Sequence, residues 1–436
     1  MAELKYDESG RLLFTKEMKK EYTLLIPQML PITFTFLKKV FELYGYKCEM
    51  LTTTHRGIVD TGLKYVHNDT CYPALLVIGQ LIEAVNSGQY DTSKLALLIS
   101  QTGGGCRASN YIHLLRKALE KAGLAHIPVV SINLSGLEKN PGFSLTIPII
   151  RRLVMAMIYG DFLMWLANQT RPYEVTSGTT ELLIAHWTDE IVALFGDGKG
   201  MTRKEMRSIL LRIAADFAGV ERAGAPKPRV GVVGEIYVKF APLGNNNLEA
   251  FLLAEGCEPV VPGLTDFMIF KINNRSVDVD LYHGNKLKKL VADVFQKYIE
   301  GMQRVMIEAV KSQPCFRPMG SFADLQRLIK GYLGYGNKMG EGWLLTAEML
   351  ELIHSGTSNI VCTQPFGCLP NHVVGKGMIR RLKDDYPDSN IVAVDYDPGA
   401  TRINQENRIK LMISNAGRHA EAPEHASSEQ PIAAAK

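Results

Sequence analysis

Residues 95–121 read LALLISQTGGGCRASNYIHLLRKALEK. An apolar run of strand length, Leu95 to Ser100, gives way to three glycines and Cys106. A segment follows with Tyr111, Leu115, Ala118 and Ala122 at helical spacing. A short apolar run without alternation suits a strand buried on both faces, and a glycine-rich turn into a helix is the first half of a βαβ unit. The same alternation extends on both sides. Strands are expected at Thr23–Pro27, Cys48–Thr52, Tyr65–His67 and Pro128–Leu134, with helices near 33–45, 73–87 and 108–122.

From Phe143 to about Ala218 only helical patterns are readable. The Pro- and Gly-containing stretch 221–229 then precedes a new apolar run. Strands are expected at Arg229–Val238, Glu258–Val261, Asn359–Thr363 and Ile391–Asp395, with a helical block from about Leu281 to Ser355. The fold class is therefore α/β: two parallel-sheet domains of Rossmann-like or flavodoxin-like type, with helical insertions and a cleft between them. Their expected limits are 1–222, with a helical extension over 143–220, and 223–411, with a helical insertion over 281–355. Residues 412–436 turn to Ala, Glu, Pro and Ser, and their composition predicts a disordered tail.

The composition excludes several classes. With 49 Lys and Arg against 45 Asp and Glu, the chain has too slight a basic excess for a nucleic-acid partner. The most apolar segment, Leu153–Ala167, is short and carries Asp161, so it reads as a buried helix and no membrane partner is expected. The N-terminal residues MAELKYDESGR lack an apolar core, which with 7 cysteines points to a reducing, cytoplasmic setting.

Three of those cysteines stand at helix mouths. Cys71-Tyr-Pro and Cys368-Leu-Pro both open helical patterns and share the spacing C-x-P-x3-V-x4-I, and proline suits the first helical position. Cys106 follows a strand and precedes a helix. Loops at the carboxyl ends of parallel strands line the ligand crevice, so these three thiols are expected to meet in one cleft. The helix dipole is expected to lower their pKa and favour thiolate. Gly103, Gly104 and Gly105 allow positive φ and close backbone approach, the geometry of an anion-binding nest such as surrounds iron–sulfur clusters.

The bland reading of a lone cysteine is a small buried hydrophobe, and it applies to Cys48, Cys257, Cys315 and Cys362. Zinc is a rival for the other three, although no C-x2-C or H-x3-H pair is present. A single nucleophilic cysteine with His113, His126 or His372 as base is another. Glu235, Lys239 and Asn245 would face the cleft if the second sheet parallels the first, against capping or turn roles. Glu341 is equally consistent with ordinary charge placement at a helix start.

Five segments carry a family resemblance: NDTCYPALLVIGQLIEA, ISQTGGGCRASNYIHLLRKAL, GEIYVKFAPLGNNNLEAFLLAEG, GEGWLLTAEMLELI and QPFGCLPNHVVGKGMIRRL. They resemble the acyl-CoA dehydratase activase-related proteins, a branch of the (R)-2-hydroxyacyl-CoA dehydratase and double-cubane-cluster superfamily of anaerobic bacteria. The resemblance runs from about Leu24 to Leu411. It implies an oxygen-sensitive [4Fe-4S] cluster, single or bridged as a double cubane, held by Cys71, Cys106 and Cys368 with one iron open. It also implies a low-potential electron from an ATP-dependent activator of actin and sugar-kinase fold with its own cluster. The substrate class it implies is an acyl-CoA thioester, reduced or dehydrated, in a dimer with itself or a homologous subunit. An electron-transfer component without a substrate, and a thiol-dependent or zinc enzyme, stand as alternatives.

Overall fold

The computed structural model describes residues 3–101, 105–133 and 138–420, with side chains to 415. Gly103 and Gly104 lie outside the described residues. Two four-stranded, all-parallel sheets organise the chain. The first holds β1 (Thr23–Pro27), β2 (Lys47–Leu51), β3 (Leu95–Ser100) and β4 (Val129–Ile132), in the order β2-β1-β3-β4. The second holds β5 (Arg229–Gly234), β6 (Glu258–Val260), β7 (Asn359–Pro365) and β8 (Asn390–Tyr396), in the order β6-β5-β7-β8. The protein is thus mixed α/β with the same strand order used twice. The inner strands β3, β5 and β7 are buried along nearly their whole length, as uniform apolar runs require when helices cover both sheet faces.

One apolar core runs through both halves, joining Leu75 and Ile78 to Tyr237, Val238 and Val361. A second gathers the helices Ile147–Thr170, Thr179–Gly196 and Arg203–Ala218 against the long helix Lys286–Lys311. Leu153–Ala167 therefore lies within a packed helical layer. No helix among the described residues is long and apolar enough to cross a membrane.

Four expectations are corrected. The run Tyr65–His67 is the end of a helix, Gly57–Tyr65, and not a strand. The strand expected to reach Val238 stops at Gly234, whose φ of 146° turns the backbone, and Glu235 caps a short helix, Ile236–Phe240, by accepting from the Val238 N–H. The helix expected straight after Cys368 begins instead with a wide π turn, Asn371–Gly375, and becomes regular α-helix only at Ile379–Asp385. The segment expected to be disordered from 412 continues a helix, Arg402–Ala420, because Ile409 and Met412 bury against the core. Residues 421–436 lie outside the described residues.

Candidate functional site

Strand order explains where the cysteines go. Cys106 follows β3, and Cys368 follows β7, the strand in the equivalent place of the second sheet. Cys71 is the N-cap of the helix Tyr72–Asn86, which leads into β3. The matching helix before β7 is Leu344–His354, whose N-cap is Trp343, with Glu341 two residues before that cap. The C-x-P echo between Cys71 and Cys368 pairs positions that are not equivalent in the fold: Cys71 stands before the helix that leads into β3, and Cys368 stands after β7.

Close backbone approach brings Cys71 and Cys368 together across the two halves. The Tyr72 N–H donates to the Phe366 carbonyl at 2.9 Å. Gly367, at φ 74°, lies so near that a Cβ there would sit 2.9 Å from the Cys71 Cα. No side chain fits in that space, and few residues adopt that φ. The Tyr111 hydroxyl is 2.8 Å from the Cys71 Sγ, so the helix after Cys106 reaches the same thiol. Arg107, beside Cys106, donates to the Asp69 carbonyl at 2.6 Å. Gly105 lies against Met339, where a Cβ would come within 2.6 Å of the thioether sulfur; close packing, and no positive φ, accounts for this glycine.

Two carboxyls join the thiols. Glu341 accepts from the Ile236 N–H at 3.0 Å, so it stands over the turn that begins with Glu235. Burial, then the neighbouring Glu341 charge, pushes the Glu235 carboxyl up to about 8. Burial likewise raises Glu341, against the pull of Lys271. Glu235 raises all three thiols, and Glu341 raises Cys106 and Cys368. Burial pushes Cys71 up to about 11, with the Tyr111 hydrogen bond opposing and Glu235 and Cys106 adding. Cys106 is raised by burial and then by Glu341 and Glu235, and Cys368 is raised strongly by burial, Glu341, Glu235 and Cys106.

The expected lowering of the thiol pKa is therefore reversed. Removal from water outweighs the pull of helix ends, even at Cys71, the N-cap of the 15-residue helix Tyr72–Asn86. Three thiols and two carboxyls share one buried region with Lys271, whose own ammonium is disfavoured there by burial. Burial disfavours charge on each of these groups. A bound iron deprotonates its thiols outright, so these residues fit a cluster.

Among the described residues no three His, Cys, Asp or Glu side chains are placed to hold one metal ion together. A cubane makes a different demand, since each thiolate bonds a different iron.

The remaining candidates separate from this site. Lys239 pairs with Glu348, its Nζ 2.9 and 3.0 Å from the two oxygens, both side chains almost fully buried. Asn245 donates to the Lys239 carbonyl and accepts from the Leu248 N–H, a structural role. His113, His126 and His372 are exposed. Cys48, Cys257 and Cys362 are buried as expected of small hydrophobes, whereas Cys315 is exposed. Tyr111 and Lys271 were not singled out in the sequence; nothing in a lone tyrosine of an amphipathic stripe marks a partner forty positions away. No protein-family model and no curated protein matches the chain.

Proposed function

We propose that Cys71, Cys106 and Cys368 hold a [4Fe-4S] cluster with one iron free of protein thiolate, and that the protein reduces or dehydrates a small substrate of the acyl-CoA class. The observation that carries this reading is the convergence on Cys71 of the helix after Cys106, through the Tyr111 hydroxyl, and of the turn before Cys368, through Gly367, with Glu235 acting on all three thiols. A tetrahedral zinc site needs its donors around one point, which this set does not offer. The cluster would supply one-electron chemistry at its open iron.

The chain's own residues do the rest. Glu235, at about 8, holds a proton at neutral pH and can pass it to a departing oxygen. Glu341 keeps that proton in place by like-charge repulsion, and the Tyr111 hydroxyl orients the Cys71 sulfur. The electron would come from a separate ATP-dependent activator, as the sequence resemblance implies.

A second reading, an electron-transfer component, is favoured by the exposed apolar residues Met339, Phe366, Leu369 and Val373 around the site, which suit a docking partner. Two experiments test these readings. In protein prepared without oxygen, Cys71→Ala, Cys106→Ala and Cys368→Ala should each lose most iron and sulfide, while Cys48→Ala and Cys257→Ala keep it. Equal iron in all five variants would remove the cluster. If a panel of acyl-CoA thioesters leaves the EPR spectrum of the reduced protein unchanged, the substrate reading gives way to electron transfer.

A further inference from the structure

The first three turns of the helix Lys286–Lys311 are built inside out. Leu287, Leu290, Val291, Val294, Phe295 and Tyr298 recur at the spacing of one helix face, and all six are exposed, Leu287 by 68% and Val291 by 64%. The polar face is the one that packs. Lys289 pairs with Asp280, Asp293 accepts from the Ser276 hydroxyl at 2.5 Å, and Gln296 accepts from Asn273 at 3.1 Å, all to the preceding helix Leu264–Tyr282. The turn between the two helices adds exposed Leu281 and Tyr282. Beyond Tyr298 the helix reverts to ordinary packing, with Ile299 and Met302 buried.

Charge decides what covers this ridge. On the helical wheel Lys288 stands at one edge of the apolar arc and Lys286 and Lys297 at the other. None has an ion-pair partner among the described residues, whereas the local acids Asp278 and Asp280 are already paired, to Lys338 and Lys289. In an antiparallel pairing of two copies each edge meets its own counterpart, which sets lysine against lysine. An apolar arc with lysines on both margins and tyrosines at both ends, Tyr282 and Tyr298, is the composition of a helix lying in a membrane interface. We infer that this hairpin docks the protein reversibly on an anionic phospholipid surface, with the stripe 287–298 in the headgroup–acyl boundary and Lys286, Lys288 and Lys297 among the headgroups. Such a helix lies on a bilayer and does not cross it. The inference is independent of the proposed cluster.

The full chain, with or without iron, is co-sedimented with phosphatidylcholine vesicles and with vesicles containing phosphatidylglycerol. Binding should require the anionic lipid and weaken with salt. Val291→Asp with Val294→Asp should abolish it, and Lys288→Glu with Lys297→Glu should weaken it by about tenfold or more. Both pairs lie at exposed positions, and unchanged far-UV circular dichroism confirms the fold of each. No sedimentation with anionic vesicles overturns the inference. So does a concentration-dependent dimer in sedimentation velocity that the two aspartates dissolve, because a second copy would then be the cover.

Discussion

The helices Tyr72–Asn86 and Leu344–His354 occupy the same place in their two sheets, yet they carry opposite chemistry. The first is buried along almost its whole length, and among Gln80, Glu83 and Asn86 only Gln80 is buried, its amide donating to the Leu51 and Thr53 carbonyls. The second buries Glu348 against Lys239 and also carries Glu351. Asp266 faces this acidic group, and a cavity of about 30 Å³ between Asp161, Asp266, Glu348 and Glu351 leaves the Asp161 Oδ1 without a hydrogen-bond partner. At their N-terminal ends one helix presents a thiol, Cys71, and the other follows a carboxyl, Glu341. A repeated strand order thus fixes where functional groups can stand and leaves open which groups they are. The first half contributes two thiols to the site, and the second contributes one thiol and two acids.

That comparison can be broken most forcefully at the buried ion pair. Lys239→Ala strands Glu348 in the core and should cost about 3–5 kcal/mol, read from guanidinium unfolding. Gln80→Ala, at the matching helix of the first half, should cost only about 1 kcal/mol. Equal losses would mean that the two halves are held by similar forces.

Next in size is Gly367→Ala. Its left-handed backbone alone makes an L side chain unfavourable by about 1–2 kcal/mol, and contact with Cys71 adds to that. Iron content should fall with stability. Gly105→Ala, beside Cys106, meets only the flexible Met339 side chain and should lose much less.

Glu341→Cys sharpens the comparison by giving the second half a further thiol, two residues before the N-cap Trp343. Iron should be retained, and the response of the EPR spectrum to added ligand should disappear as the open iron gains a fourth thiolate. A retained ligand response would show that residue 341 does not reach the cluster.

The smallest effect is a pH dependence. Burial pushes Asp266 up to about 8, against its Gln303 hydrogen bond, and Glu351 up to about 7. Both folded values lie above the unfolded ones near 4. The stability these groups contribute is therefore complete below about pH 4 and is lost as pH rises through 7 to 8. The Tm should fall between pH 5 and pH 9, and Asp266→Asn, which keeps an oxygen for Gln303, should flatten that fall.

The inner strands were legible because a parallel strand covered on both faces is a plain apolar run between turns: Thr23–Pro27 and Leu95–Ser100 appear at their expected limits. The same criterion failed at Ile236–Phe240, where β-branched and aromatic residues continue the run but the turn at Gly234 and the Glu235 cap wind it into a helix. The helix Lys286–Lys311 falls inside the expected helical block, but its apolar spacing says nothing about which face a neighbour covers. Helix mouths pointed to Cys71, Cys106 and Cys368. Their elevated pKa was hidden, because it comes first from burial and then from acids distant in sequence, Glu235 and, for Cys106 and Cys368, Glu341.

The hydrogen bond from Tyr72 to Phe366 spans almost the whole site and joins segments made far apart in time. Cys71 and Cys106 emerge from the ribosome early, within a sheet that can already close on itself. Their third companion arrives only after β7 has been synthesised. Machinery that inserted the proposed cluster would therefore have to act on the finished polypeptide, or hold an unfinished pair of thiols safe from oxidation until the second sheet docks.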